Sequence, residues 1–102
     1  MTEQPQFIYV IRPTRLGLLT KGPTPEEEDV IGRHFGYLKD LAQKGVVLLA
    51  GRTQDADETS FGIVILQTET IQAARDIMEN DPAVHESVMS AELHPYRISI
   101  PG

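Results

Sequence analysis

Three runs of this chain are apolar at nearly every position: Phe7-Ile8-Tyr9-Val10-Ile11, Val46-Val47-Leu48-Leu49-Ala50 and Phe61-Gly62-Ile63-Val64-Ile65-Leu66. Aromatic and β-branched runs of this length are strand signals. A sheet with one wet face alternates apolar and polar residues along each strand. These runs do not alternate, so both faces of the sheet they build need cover. Helices between the strands cover one face. The simplest cover for the other is a second copy of the chain, which predicts a homodimer packed through the sheet face.

The segments between the runs fill in the order. Residues 1–6 read as a lead-in, and Pro13 ends the first strand because proline brings no N–H to a ladder. Residues 12–24 form a long connection carrying Leu16, Leu18 and Leu19. Three leucines in a purely solvated loop would be out of place, so the loop is expected to fold back and close over a site. Thr24 is a candidate N-cap with Pro25 at the first helical position. Glu26, Glu27, Glu28 and Asp29 then suit the positive end of the helix dipole. This helix should run to Lys44, with Gly45 as its left-handed terminator. Residues 51–60 are a polar loop. Thr68 or Thr70 caps a second helix with Ile71, Ala74, Ile77 and Met78 on one face. Asp81-Pro82 ends it, and residues 83–88 are expected to add one short turn. Residues 90–100 read as a fourth strand, placed at a sheet edge because of Pro95.

The order is βαββαβ. Right-handed crossovers then give an α+β, ferredoxin-like fold: an antiparallel four-stranded sheet with two helices on one face, here a single domain over residues 1–102. Joined through its sheet, such a domain gives a dimeric α+β barrel-type assembly.

Composition narrows the function. Fifteen acids against nine bases give a net charge of -6, and no basic cluster offsets it. Nucleic acid and anionic membranes are poor partners for such a chain. With no cysteine, thiol catalysis and Cys-ligated metals are excluded. No run approaches a membrane span, and the polar start is no signal peptide, so a cytoplasmic protein is expected. GxGxxG and P-loop motifs are both missing, and no cofactor is expected.

His34 is the most informative residue. Ile31, Phe35, Leu38, Leu41 and Ala42 fall in one arc of the first helix, and His34 falls inside it. An inward imidazole needs a partner or a cavity. It is either a core histidine bonded to a backbone carbonyl or a proton-transfer group at a pocket wall. Asp81 is the second candidate. Asp before Pro is a common turn device, and an Asp near His34 would also fix its tautomer. His85 and His94 lack metal-ligand spacing, and no metal is expected. Arg12 and Arg52, near strand ends, are candidate substrate-binding clamps for a carboxylate or phenolate; the alternative is solvated arginines paired with surplus acids. Gly32 and Gly36, inside the first helix, are expected to permit close packing.

Three fragments together resemble one family: Arg33-His34-Phe35-Gly36-Tyr37-Leu38 with Leu41 and Gly45; Leu49-Ala50-Gly51-Arg52; and Asp81-Pro82-Ala83-Val84 before Ala91-Glu92-Leu93-His94-Pro95-Tyr96. They are similar to the YciI-like (YCII-related) proteins over nearly the whole chain. The resemblance implies a ferredoxin-like fold, dimerisation through the sheet, and a His34–Asp81 pair facing a pocket. One branch of the family dehydrochlorinates chlorinated hydroxyquinols. The chain departs from the pattern at Glu86-Ser87-Val88, where many relatives carry an Ala-Gly step. The leading reading is a general acid/base enzyme for a small, aromatic, anionic molecule. A non-catalytic ligand-binding or accessory protein is the alternative, and a cofactor-free monooxygenase or isomerase of the dimeric barrel kind is a third.

Overall fold

The computed structural model describes residues 4–102. The lead-in expected at residues 1–6 falls partly outside them, and Gln6 already belongs to the first strand. The elements are β1 (Gln6–Pro13), α1 (Gly17–Thr20), α2 (Pro25–Gln43), β2 (Val47–Arg52), β3 (Gly62–Gln67), α3 (Ile71–Asn80), α4 (Pro82–His85) and β4 (Met89–Tyr96). The sheet order is β2-β3-β1-β4, with every pairing antiparallel. This is the expected α+β ferredoxin-like arrangement. β4 lies at an edge, and Pro95 is accommodated there opposite Phe7.

Period-two geometry divides the residues of β1 between two faces. Phe7, Tyr9 and Ile11 point into the helix layer and are buried with Val64, Leu66, Leu38, Ala74 and Met78. Ile8 and Val10 point the other way, paired with Ile65 and Ile63. Leu49 joins them from β2, opposite Ile65. The outer face is thus apolar across three strands, as the lack of alternation required. Toward β4 it turns polar, where Glu92 and His94 stand opposite Val10 and Ile8.

α2 begins as its sequence dictates. The Thr24 side chain accepts from the Glu27 amide, the Glu27 carboxylate accepts from the Thr24 amide, and Pro25 occupies the first turn. Gly45 ends the helix with φ +78°. Thr70 rather than Thr68 caps α3, accepting from the Ala73 amide at 3.1 Å. The connection 14–24 is not wholly irregular, since it contains the one-turn helix α1. Arg15 straps it to α2, donating to Glu27 through Nε at 3.0 Å and to the Gly22 carbonyl at 3.2 Å.

Two expectations for α2 need correction. At Gly32 and Gly36 an added Cβ would meet nothing within 4 Å, so neither glycine serves close packing. Phe35, expected on the inward arc, is 56% exposed. The arc is wide because only part of it packs on the core; the rest borders a cavity.

Candidate active site

One residue closes one helix, opens the next and supplies the carboxylate of the site. The Asp81 amide donates to Ile77 O and Met78 O at the end of α3. Its side chain then caps α4, with Oδ1 accepting from the Ala83 amide at 3.0 Å. Asp81 is both a turn residue and the hydrogen-bond partner of His34, because the cap fixes the carboxylate where α2 passes. His34 Nδ1 lies 2.7 Å from Asp81 Oδ1 and 2.9 Å from Oδ2. The Tyr9 hydroxyl donates to Oδ2 at 2.8 Å. Tyr9 and Asp81 are 0% exposed and His34 is 5% exposed.

This network sets the tautomer. Tyr9 and Ala83 both donate to Asp81, which acts as an acceptor, so the His34 Nδ1 carries a proton and donates as well. In the neutral ring Nε2 then presents a lone pair. Nε2 makes no hydrogen bond among the described residues, whereas every fully buried side-chain nitrogen or oxygen among them has a partner. Nε2 is therefore reached from the space His34 borders, a cavity of about 690 Å³. The cavity runs between α2 and the β2–β3 edge, with Ile11, Leu38, Ala50 and Val64 among its apolar walls. Leu18, Leu19 and Pro23 border it from the 14–24 connection, as its leucines predicted. Leu16 instead stays 49% exposed.

Burial and the Asp81 charge beside it push the Tyr9 phenol far above the ordinary tyrosine range. Tyr9 is thus a fixed donor. Burial and the same charge raise Tyr37 to about 12, and its hydroxyl donates to Ile77 O at 2.8 Å. That bond ties α2 to the end of α3, next to Asp81. A second tie joins α2 to the end of α4: Arg33 donates through both terminal nitrogens to Glu86 and through Nε to Asp29 at 3.0 Å. The Glu86 departure from the family pattern is thereby accommodated as a bidentate ion pair one residue from His34. Ser87 pays for its own departure in backbone conformation, with φ 61°, the left-handed region in which a glycine is at ease.

The structure brings His34 and Asp81 together and sets Arg52 on the cavity wall. Arg12 is not a wall residue. Its guanidinium lies 5.7 Å from the centroid of Phe61, whose ring borders the cavity. Tyr9 was missed. Its in-phase position with Phe7 and Ile11 was the available signal, since a buried phenol must find a partner. Lys39, another cavity residue, had no signal beyond one helical turn and a half from His34.

Comparison with known structures supports the same architecture. The chain is similar to 5-chloro-2-hydroxyhydroquinone dehydrochlorinase (TftG) from Burkholderia phenoliruptrix AC1100, solved in complex with 2,5-dihydroxybenzoquinone. The TM-score is 0.63 at 21% identity, over 89% of this chain and 93% of that one. An uncharacterized protein from Thermotoga maritima matches with TM-score 0.55 at 12% identity, over 94% of this chain and 100% of that one. At these identities the likeness is one of fold. No curated protein matches. The model of the YCII-related domain matches residues 7–95, a span that runs from the first buried residue of β1 to Pro95 in β4 and takes in His34, Tyr9 and Asp81; the chain belongs to the YCII-related domain family.

Proposed function

We propose that the protein is a general acid/base enzyme acting on a small, aromatic, anionic molecule, with His34 Nε2 exchanging the proton and Asp81 holding the ring. One observation carries this reading: an imidazole held at Nδ1 by a buried carboxylate lines a cavity and has no hydrogen-bond partner at its other nitrogen among the described residues. A structural histidine bonded only for packing would have side chains around Nε2. The walls are mostly apolar, which gives the ring of a small aromatic ligand a surface to pack on. Arg52 supplies positive charge for an oxyanion. The TftG likeness supports a ring substrate of the hydroxylated kind. The fold suits a homodimer joined through the apolar face of Ile8, Val10, Ile63 and Ile65.

A thermal-shift panel of phenols, quinols and 2,5-dihydroxybenzoquinone tests the reading. A ligand present at 100 times its Kd adds about 2.7 kcal/mol, which raises the midpoint of a domain this size by about 10 °C. Turnover of any hit should fall alike in His34→Ala and Asp81→Asn, with the double variant little worse than either. A hit that binds unchanged in His34→Ala would place the ligand elsewhere and remove the proposal.

A further inference from the structure

The charge and the length of the cavity specify its ligand more closely. Among the described residues no Asp or Glu borders the cavity, although the chain carries 15 acids and 9 bases. Its positively charged side chains are Lys39 and Arg52. Neither makes an ion pair with a described residue, and so both are available to an anion.

The two cations stand toward opposite ends. α2 and β2 meet at the turn of Gly45 and run antiparallel against each other, so both extend from it to the same side. Helix and strand rises place Lys39 about 9 Å, His34 about 16 Å and Arg52 about 23 Å from that turn. His34 therefore faces the stretch between them. Between the backbones of Lys39 and Arg52 that is about 14 Å, longer than one benzenoid ring. Volume agrees: an apolar cavity of about 150 Å³ holds a benzene, and this one is about 690 Å³. Phe35 and Phe61 border the same space and are 56% and 37% exposed, so aromatic surface is open to a ligand there. Gly51 and Gly62 belong to paired strands, so their amides are not gathered into a phosphate cradle. The charge complementarity is that of a carboxylate and a phenolic oxygen.

We propose that the cavity takes an elongated hydroxyaryl carboxylate, longer than a single ring. Lys39 holds its carboxylate, and its phenolic oxygen lies between His34 Nε2 and Arg52. This inference rests on the acid/base reading of the cavity and adds Lys39 as a specificity-determining residue.

Titration calorimetry with 4-hydroxycinnamate, its methyl ester and hydroquinone tests it, in the wild-type protein and in Lys39→Gln. Lys39 is exposed, so the variant should fold. The acid should bind more tightly than the ester by up to about fivefold, the worth of one partly exposed ion pair. It should also bind more tightly than hydroquinone. Lys39→Gln should abolish the preference for acid over ester while leaving the ester's affinity in place. An ester that binds as well as the acid, a preference that survives in Lys39→Gln, or hydroquinone binding as tightly as the acid would each overturn the inference. In the last case, hydroquinone binding lost in His34→Ala would leave the acid/base reading standing without this one. Failure of all three probes and of 2,5-dihydroxybenzoquinone would remove both.

Discussion

Removing the Asp81 side chain should cost the protein much of its stability, and the structure indicates how much. Asp81→Ala deletes the cap of α4, a loss of about 1 kcal/mol. It also strands two buried donors, the Tyr9 hydroxyl and His34 Nδ1, at about 1–3 kcal/mol each. The expected loss is about 3–7 kcal/mol, against a total of about 5–15 kcal/mol for an ordinary domain. Asp81→Asn keeps the shape and an acceptor for the cap, and should cost about 1–3 kcal/mol. The test is urea denaturation followed by circular dichroism at neutral pH, repeated in a Tyr9→Phe background. With the phenol gone, Asp81→Ala strands one donor fewer, so its cost should drop by about 1 kcal/mol or more. A loss below about 1 kcal/mol for Asp81→Ala, or an unchanged cost in the Tyr9→Phe background, would refute the account of the network.

Other expectations follow from local geometry. Ser87→Gly should gain about 0.5–1 kcal/mol in the same denaturation assay, because Ser87 holds φ 61° and a side chain is strained there; a loss would mean that the serine contributes a contact. The Arg15 guanidinium, with help from the Thr24 amide, lowers Glu27 from 4.5 to about 2. A depressed carboxylate adds stability above its unfolded value that is lost as pH falls through the folded one. Protection of the Leu18 and Leu19 amides from hydrogen exchange should accordingly decline between pH 4.5 and 2, and Glu27→Gln should show the reduced protection already at pH 6. At the alkaline end, the raised Tyr9 and Tyr37 values mean that the folded protein keeps protons the unfolded chain gives up. Stability should fall as pH rises above about 10. An ultraviolet titration should show Tyr37 ionising near 12 and Tyr9 only on unfolding.

Strand order, both caps of α2 and the edge position of β4 were legible in the sequence, because each rests on a local rule: β-rich runs, a Thr-Pro helix start, a Gly terminator, a proline that a central strand would not tolerate. His34 and Asp81 were legible for different reasons. His34 broke an apolar arc, which is visible in one helix. Its partner is 47 residues away, and only the family resemblance joined the two. Tyr9, Lys39 and Phe61 come to the site through tertiary packing, for which no short-range pattern exists. Gly32 and Gly36 were misread because helical phase alone does not separate a face that packs from one that is open. Phe35 was misread for a related cause: a cavity border and a packed core use the same apolar residues.

The account turns on which nitrogen of His34 carries the proton when the ring is neutral. Nitrogen-15 NMR of the imidazole reads this directly, since protonated and unprotonated ring nitrogens resonate far apart. The network of Asp81, Tyr9 and Ala83 predicts a protonated Nδ1 and a bare Nε2 in the wild-type protein. In Asp81→Asn the side-chain amide can turn its NH2 toward Nδ1, and the tautomer should reverse. A wild-type ring with the proton on Nε2 and a bare Nδ1 would contradict the account, because no base would then face the cavity.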